Sequence, residues 1–188
     1  DVLVPRPETE TLVDAILNEN LQGKTLLELG TGSGAISISI AQENKDCFIF
    51  ATDISIKSIL VAKQNAAKFC CENIIFLNHD WNNEWLFPQV DYLISNPPYV
   101  DKEATSGKEE GIWHEPEIAL FSKDKGLSDL KLILSKGKNF LNENGKVYLE
   151  HAPDQYEELN KFAMENGYLN FSNLNDLNGD KRVSIYQC

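Results

Sequence analysis

Ser95-Asn96-Pro97-Pro98-Tyr99 is the segment whose residue types and spacing best suit chemistry. Asn96 offers an amide oxygen that accepts and an NH2 that donates. Pro97 and Pro98 fix φ at successive positions and lack the N–H groups that would compete for nearby carbonyls. The Asn96 side-chain oxygen and the Pro97 carbonyl then make two acceptors in a stiff frame. A planar NH2 group carries two donors in its plane, and the frame matches it. Such a nitrogen is a weak nucleophile because its lone pair is delocalised. Accepting from both hydrogens raises its electron density and aims the lone pair at an electrophilic methyl group. If the proton leaves after transfer, the rate comes from positioning and electrostatics rather than from a strong base. Tyr99 would lie against the flat face of the target. In isolation the same residues also read as a Pro-Pro loop with Asn as a turn residue.

The second chemical segment is Glu28-Leu29-Gly30-Thr31-Gly32-Ser33-Gly34-Ala35. Glycines allow a sharp turn and a close approach of backbone to ligand, and a helix N-terminus behind them favours anionic groups. Gly30, Gly32 and Ala35 satisfy the dinucleotide pattern G-x-G-x-x-G/A. Glu28 before the turn and the tighter run through Gly34 resemble instead the first motif of S-adenosylmethionine (SAM) methyltransferases. A ligand-free strand-to-helix turn is the plain alternative. Asp53 lies where a carboxylate can accept from both ribose hydroxyls of an adenosine, or can simply cap a helix. Asp80-Trp81 reads as an adenine border, Asp80 accepting the amino group and Trp81 packing near the ring, or as an ordinary turn.

These segments need elements to hold them. Strands are expected at 24–30, 47–53, 74–77, 90–95, 146–149, 169–171 and 182–186. Helices are expected at 8–17, 35–42, from Ser55 through Ala67, 126–141 and 154–165. Ser55 reads as an N-cap and Pro7 as a first helical residue. Alternating strands and helices imply an α/β fold with a mostly parallel seven-stranded sheet and helices on both faces. Residues 100–124 have no clean period, and a loop of that length is expected to be functional or disordered.

Composition excludes several classes. With 188 residues, the chain suits one domain with a real core. Its net charge of −12 argues against broad nucleic-acid binding, which needs a positive surface. No run approaches the ~20 apolar residues of a membrane span, and no signal peptide is visible. Cys47, Cys70, Cys71 and Cys188 form no CxxC pair, and His79, His114 and His151 have no ligand spacing, so no metal is expected. Reduced cysteines suit a cytoplasmic protein. The chain opens at Asp1, without an initiator Met, as a fragment would.

Asn-Pro-Pro-Tyr after a fourth strand occurs in methyltransferases of adenine N6, guanine N2 and glutamine N5. Leu3 to Glu10 resembles the L-I-P-R-P-E-T-E signature of the HemK/PrmC-like protein N5-glutamine methyltransferases, which modify peptide-chain release factors. The likeness continues in Glu28 to Ala35, Ser95 to Val100, Glu115-Pro116, Ala119 to Phe121, Asp124 to Leu127, Leu149-Glu150-His151 and Asp180 to Val183. It departs at Ala152-Pro153, where family members usually have Gly after the Glu-His pair.

The resemblance implies a Rossmann-like class I methyltransferase. It would move a methyl from SAM, leaving S-adenosyl-L-homocysteine, to the glutamine of a Gly-Gly-Gln loop in class 1 release factors. It implies that Gly30, Thr31, Gly32 and Gly34 surround the methionine part of SAM, and that Asp53 and Ile54 lie at the ribose. Asp80 and Trp81 would border the adenine, with Asn96 also near the cofactor. Asn96 and the Pro97 carbonyl, with Pro98 and Tyr99, would hold the substrate amide, and Arg6 and Glu8 would wall the pocket. Arg6 and Glu8 could equally pair with each other or cap the helix. Family members usually carry a helical N-terminal domain that engages the substrate. Residues 1–188 are therefore expected to be a catalytic domain, monomeric and poorly active alone. The alternatives are a nucleic-acid amino methyltransferase, a dinucleotide oxidoreductase, and a silent SAM-binding module.

Overall fold

The computed structural model describes residues 5–101 and 119–188. Leu3, Val4, Glu115-Pro116 and most of the aperiodic 100–124 stretch lie outside them. Nine strands and five α-helices are assigned among the described residues. A 3-10 turn, Pro7–Thr9, leads into α1 (Glu10–Leu17). Then follow β1 (Thr25–Leu29), α2 (Ala35–Glu43), β2 (Phe48–Asp53), α3 (Ile56–Lys68), β3 (Ile74–Asn78) and β4 (Val90–Ser95). After the short β5 (Val100–Asp101) and β6 (Phe121–Ser122) come α4 (Ser128–Gly137), β7 (Leu141–Glu150), α5 (Tyr156–Glu165), β8 (Asn170–Asn175) and β9 (Lys181–Gln187).

The main sheet has seven strands in the order β3-β2-β1-β4-β7-β9-β8. The pairs from β3 to β7 are parallel; β9 runs antiparallel to both β7 and β8. Strand order reverses between β1 and β4, and such a reversal opens a crevice at the carboxyl ends. Leu29 pairs with Ser95 there, and the Ser95 hydroxyl donates to the Leu29 carbonyl at 2.7 Å. The glycine turn and the Asn-Pro-Pro-Tyr segment therefore leave the sheet side by side.

Alternation along the strands sorts the core into two layers. Leu27, Leu29, Leu93, Val147 and Leu149 face α4 and α5. Leu26, Tyr92, Ile94 and Tyr148 face α1 and α2, while α3 packs through Ile59, Ala62 and Ala66 on Ala51 and Phe76. Glu28 and Glu150 occupy the alternate register that faces α1 and α2, fully buried among apolar neighbours. Both therefore need polar partners from those elements.

The structure departs from the expected elements in several places: the helix expected at 126–141 ends at Gly137 and passes into a 3-10 turn, Lys138–Phe140, and the strand expected at 169–171 runs on to Asn175. The strand expected at 146–149 begins at Leu141 and crosses an irregularity, with Val90 opposite Leu141 and Tyr92 opposite Lys146. Asn144, at φ 63°, makes the kink, which hides a strand from period counting. Within the aperiodic stretch, β5 and β6 pair in parallel, each too short to carry a pattern. Among the described residues, no helix is long and apolar enough to cross a membrane. Among the described residues, no cluster of three His, Cys, Asp or Glu is placed to hold a metal.

Candidate active site

Gly30, Gly32 and Gly34 all take positive φ (76°, 55° and 84°), a region that side-chain residues enter only with strain. The turn is held from beneath by Glu28. Its Oε2 accepts from the Thr31 hydroxyl at 2.7 Å and from the Ser37 hydroxyl of α2, and its Oε1 is buried without a partner. Burial pushes the Glu28 carboxyl up to about 6, against those two hydroxyls. A raised folded-state pKa stabilises fully below the ordinary value of 4.5 and is lost as pH rises through about 6. The difference amounts to roughly 2 kcal/mol. Glu28→Gln should therefore flatten the decline in stability between pH 4.5 and 7, read by urea unfolding. An unchanged slope would mean that Glu28 titrates normally.

Asp53 ends β2 beside this turn. Its Oδ2 accepts from the Gly32 N–H at 2.9 Å and its Oδ1 from the Ser55 N–H at 2.8 Å. Burial raises its pKa, opposed by these two N–H groups and the Ser58 hydroxyl. The carboxylate is thus preorganised by backbone, and each oxygen keeps a lone pair for a ligand. Ser55 also caps α3, accepting from the Ser58 N–H.

Trp81 stands across the turn, where a Cβ on Gly30 would meet its ring at 3.1 Å. The Trp81 indole N–H donates to Asp129 at 3.1 Å, and its carbonyl accepts from Lys136 and Trp85. These contacts fix a flat apolar wall.

An open cleft lies between these groups. Its lining includes Gly30, Thr31, Gly32, Asp53, Ile54, Trp81, Asn96, Pro98 and Arg6, together with Pro5, Thr9 and Ala119. Nine of the sequence-predicted residues thus share one cleft. Gly34 is absent from the lining, and a Cβ there would meet Ile38 at 2.9 Å and Ala62 at 3.1 Å. Pro97 is buried and Glu8 half-buried, and neither lines the cleft. Asp80 turns to Asn82, accepting from its backbone and side-chain N–H groups, and is absent from the lining.

Tyr99 also lies off the cleft. Its hydroxyl donates to Glu150 Oε1 at 3.0 Å, its carbonyl accepts from Gln155 at 2.9 Å, and its ring packs on the core beside α4 and α5. Burial and the Glu150 charge raise its pKa. Asn96 Nδ2 donates to the Thr9 hydroxyl at 3.2 Å, so its amide is already anchored on one side.

Two residues that sequence reasoning left without roles sit here: Thr9, of the P-R-P-E-T-E segment, and Glu150, of the Leu-Glu-His segment. A carboxylate closing a buried strand was the signal for Glu150. The Glu-His turn that precedes Ala152-Pro153 is held by polar contacts. His151 is fully buried between the Ala152 carbonyl (2.8 Å) and the Ser184 hydroxyl (2.7 Å). The Ala152 N–H donates to Gln155 at 2.9 Å.

The fold is that of the class I methyltransferases. A methyltransferase from Pyrococcus furiosus superposes with a TM-score of 0.72 at 20% identity, covering 100% of this chain and 85% of that one. The Methyltransferase small domain family model matches residues 7–115, and the chain belongs to that family. Within it the chain is a SAM-dependent methyltransferase of the HemK/PrmC-like family. It is 36% identical to the release factor glutamine methyltransferase of Francisella tularensis over 100% of this chain and 67% of that protein. It is 33% identical to that of Shewanella oneidensis over 97% of this chain and 64% of that protein. The chain spans between 38% and 67% of the length of the curated relatives it matches.

The cleft fits SAM, the cofactor of this family. It offers a Cβ-free turn before a helix N-terminus, a carboxylate preorganised against that turn, and an indole face. Asp53→Asn should weaken SAM binding about tenfold or more, because one charge-assisted acceptor is lost. Calorimetry reads it, and an unchanged affinity would remove Asp53 from the site.

Proposed function

We propose that this protein methylates the side-chain amide nitrogen of a glutamine, the one in the Gly-Gly-Gln loop of class 1 peptide-chain release factors. The observation that carries this reading is the placing of Asn96 beside the glycine turn, with its NH2 engaged by Thr9 and its side chain on the cleft. An Asn96 anchored through its NH2 offers its oxygen to a planar NH2 donor, and Pro97, buried off the cleft, stiffens the backbone that carries it. SAM, when bound, supplies the electrophilic methyl group. Asn96 orients the amide nitrogen, and Pro98 and Trp81 exclude water around it. Among the described residues lining the cleft, the ionisable side chains are Arg6 and Asp53. On this reading Asp53 is the ribose acceptor and not a base, so transfer proceeds by orientation, with the proton leaving afterwards.

The net charge of −12 supports a protein rather than a nucleic acid as substrate. A shallow extension of the cleft along Pro7, Glu10, Val13 and Ser39 leaves room for an extended loop to approach past Arg6. The test is mass spectrometry of release factor, and of DNA and RNA, after incubation with enzyme and SAM. One added methyl on the Gly-Gly-Gln glutamine is expected. Label on nucleic acid alone would refute the proposal.

A further inference from the structure

Trp81 is the aromatic side chain among the described residues that line the cleft, and it stands on an irregular loop between β3 and β4. The backbone of that loop is held from α4. The Lys136 ammonium has three protons and gives them to the carbonyls of Trp81, Asn82 and Asn83 at 2.8, 2.9 and 3.0 Å. The Trp85 indole N–H adds a second bond to the Trp81 carbonyl at 2.8 Å. The helix is itself fixed by burying Leu130, Ile133, Leu134 and Gly137. What remains free is the torsion of the Trp81 ring. The ring packs against the core layer below α4 and α5, but apolar burial is non-directional and does not choose between the two edges of an indole.

The N–H does choose. Trp81 Nε1 donates to Asp129 Oδ1 at 3.1 Å. Asp129 stands in the first turn of α4 and Lys136 in the last, on one face because about seven residues complete two turns. The opposite, six-membered edge of the ring lies over Gly30, where a Cβ would meet Cζ3 at 3.1 Å and Cη2 at 3.6 Å. We propose that Asp129 is a positioning residue for SAM, turning that edge of Trp81 over the glycine turn by accepting from the indole N–H. An indole has one donor and no acceptor. Turning the ring over would therefore withdraw the N–H from Asp129 and the six-membered edge from Gly30 together. A carboxylate makes the stronger, charge-assisted acceptor, and a wall ordered before SAM arrives has less freedom to lose on binding. The inference rests on reading the cleft as the SAM site with Trp81 as a wall, and not on the identity of the methyl acceptor.

The test joins calorimetry with SAM to the indole N–H resonances of 15N-labelled protein, that of Trp81 assigned by its loss in Trp81→Phe. Asp129→Ala should move the Trp81 resonance upfield and weaken SAM binding about tenfold. Asp129→Asn keeps a side-chain oxygen that accepts and should hold affinity within about threefold of the wild type. The Ser122 hydroxyl accepts from the Asp129 backbone N–H at 3.2 Å, so neither substitution removes that contact. In a Trp81→Phe background, with no indole N–H, Asp129→Ala should change SAM affinity by less than about twofold. A merely structural Asp129 would cost the same in both backgrounds, and that equality would overturn the inference. An unmoved Trp81 resonance or an unchanged SAM affinity in Asp129→Ala would do so too. Trp81→Ala with wild-type SAM affinity would take Trp81 out of the cofactor site and the inference with it, leaving the acceptor chemistry at Asn96 untouched. A protein that binds SAM as described but leaves the glutamine unmodified would support this role of Asp129 and refute the proposed function instead.

Discussion

Asn96→Ala should reduce kcat for glutamine methylation by about a hundredfold or more while leaving SAM affinity within about fivefold. The asymmetry follows from where the side chain stands. The groups expected to hold SAM are the glycine turn, Asp53 and the Trp81 face, and none of their own contacts depends on Asn96. Asn96 instead is anchored to Thr9 through its NH2, which under the proposed function leaves its oxygen for the acceptor amide. On that function, removing it deletes an acceptor that orients a weak nucleophile, and positioning is the main source of rate in such a site. Single-turnover kinetics with release factor, beside calorimetry with SAM, separates the two effects. A variant with normal turnover would show that the amide is oriented by other groups. A variant that loses cofactor affinity in proportion would make Asn96 a cofactor ligand first.

Gly126→Ala should lower stability by about 3 kcal/mol or more, or roughly 10 °C in Tm for a chain of this size, and should damage turnover as well. Gly126 has φ +83°, and a Cβ there would lie 2.0 Å from the Tyr99 carbonyl oxygen and 2.6 Å from Gln155 Nε2. Gln155 Nε2 is the clasp of this region, donating to the Tyr99 carbonyl at 2.9 Å and to the Lys125 carbonyl at 3.0 Å. A methyl group cannot enter without pushing apart the backbone that follows Pro98. The left-handed conformation adds its own cost for Ala. Asp124 and Lys125 take positive φ too (54° and 55°), so the turn is already strained and has little slack for relaxation. Thermal unfolding followed by far-UV circular dichroism reads the loss. A Tm within about 2 °C of the wild type would mean that the clasp opens freely.

Much of the site was legible because its signals are local. Gly30, Gly32 and Gly34 announce a turn by themselves, since few other residues tolerate the φ that each adopts. Ser55 announces the start of α3 by the bond it makes three residues on. Pro97 and Pro98 restrict their own backbone whatever surrounds them. The order of strands and helices was readable for the same reason, because alternation and helical spacing repeat over a few residues. Where that spacing was broken, reading failed. The kink at Asn144 concealed the first half of β7, and the two-residue strands β5 and β6 had no period to show.

Roles that depend on distant neighbours were not readable. Tyr99 suggested a stacking partner for the substrate, yet its hydroxyl is committed to Glu150, 51 positions away. Asp80 suggested an adenine contact, yet it folds back on Asn82. Thr9 looked like one polar residue in a helix-starting segment, and its contact with Asn96 spans 87 positions.

By itself the sequence determined that this chain is an α/β domain with a glycine turn after its first strand and an acceptor frame after its fourth. Those are properties of short stretches, set by backbone restriction and hydrophobic period. Only the tertiary structure decided that Leu29 and Ser95 are neighbours, so that the two motifs share one cleft, and that Thr9 meets Asn96. Strand order and register settle such contacts, and both arise from burying whole faces of the sheet rather than from any residue's own preference.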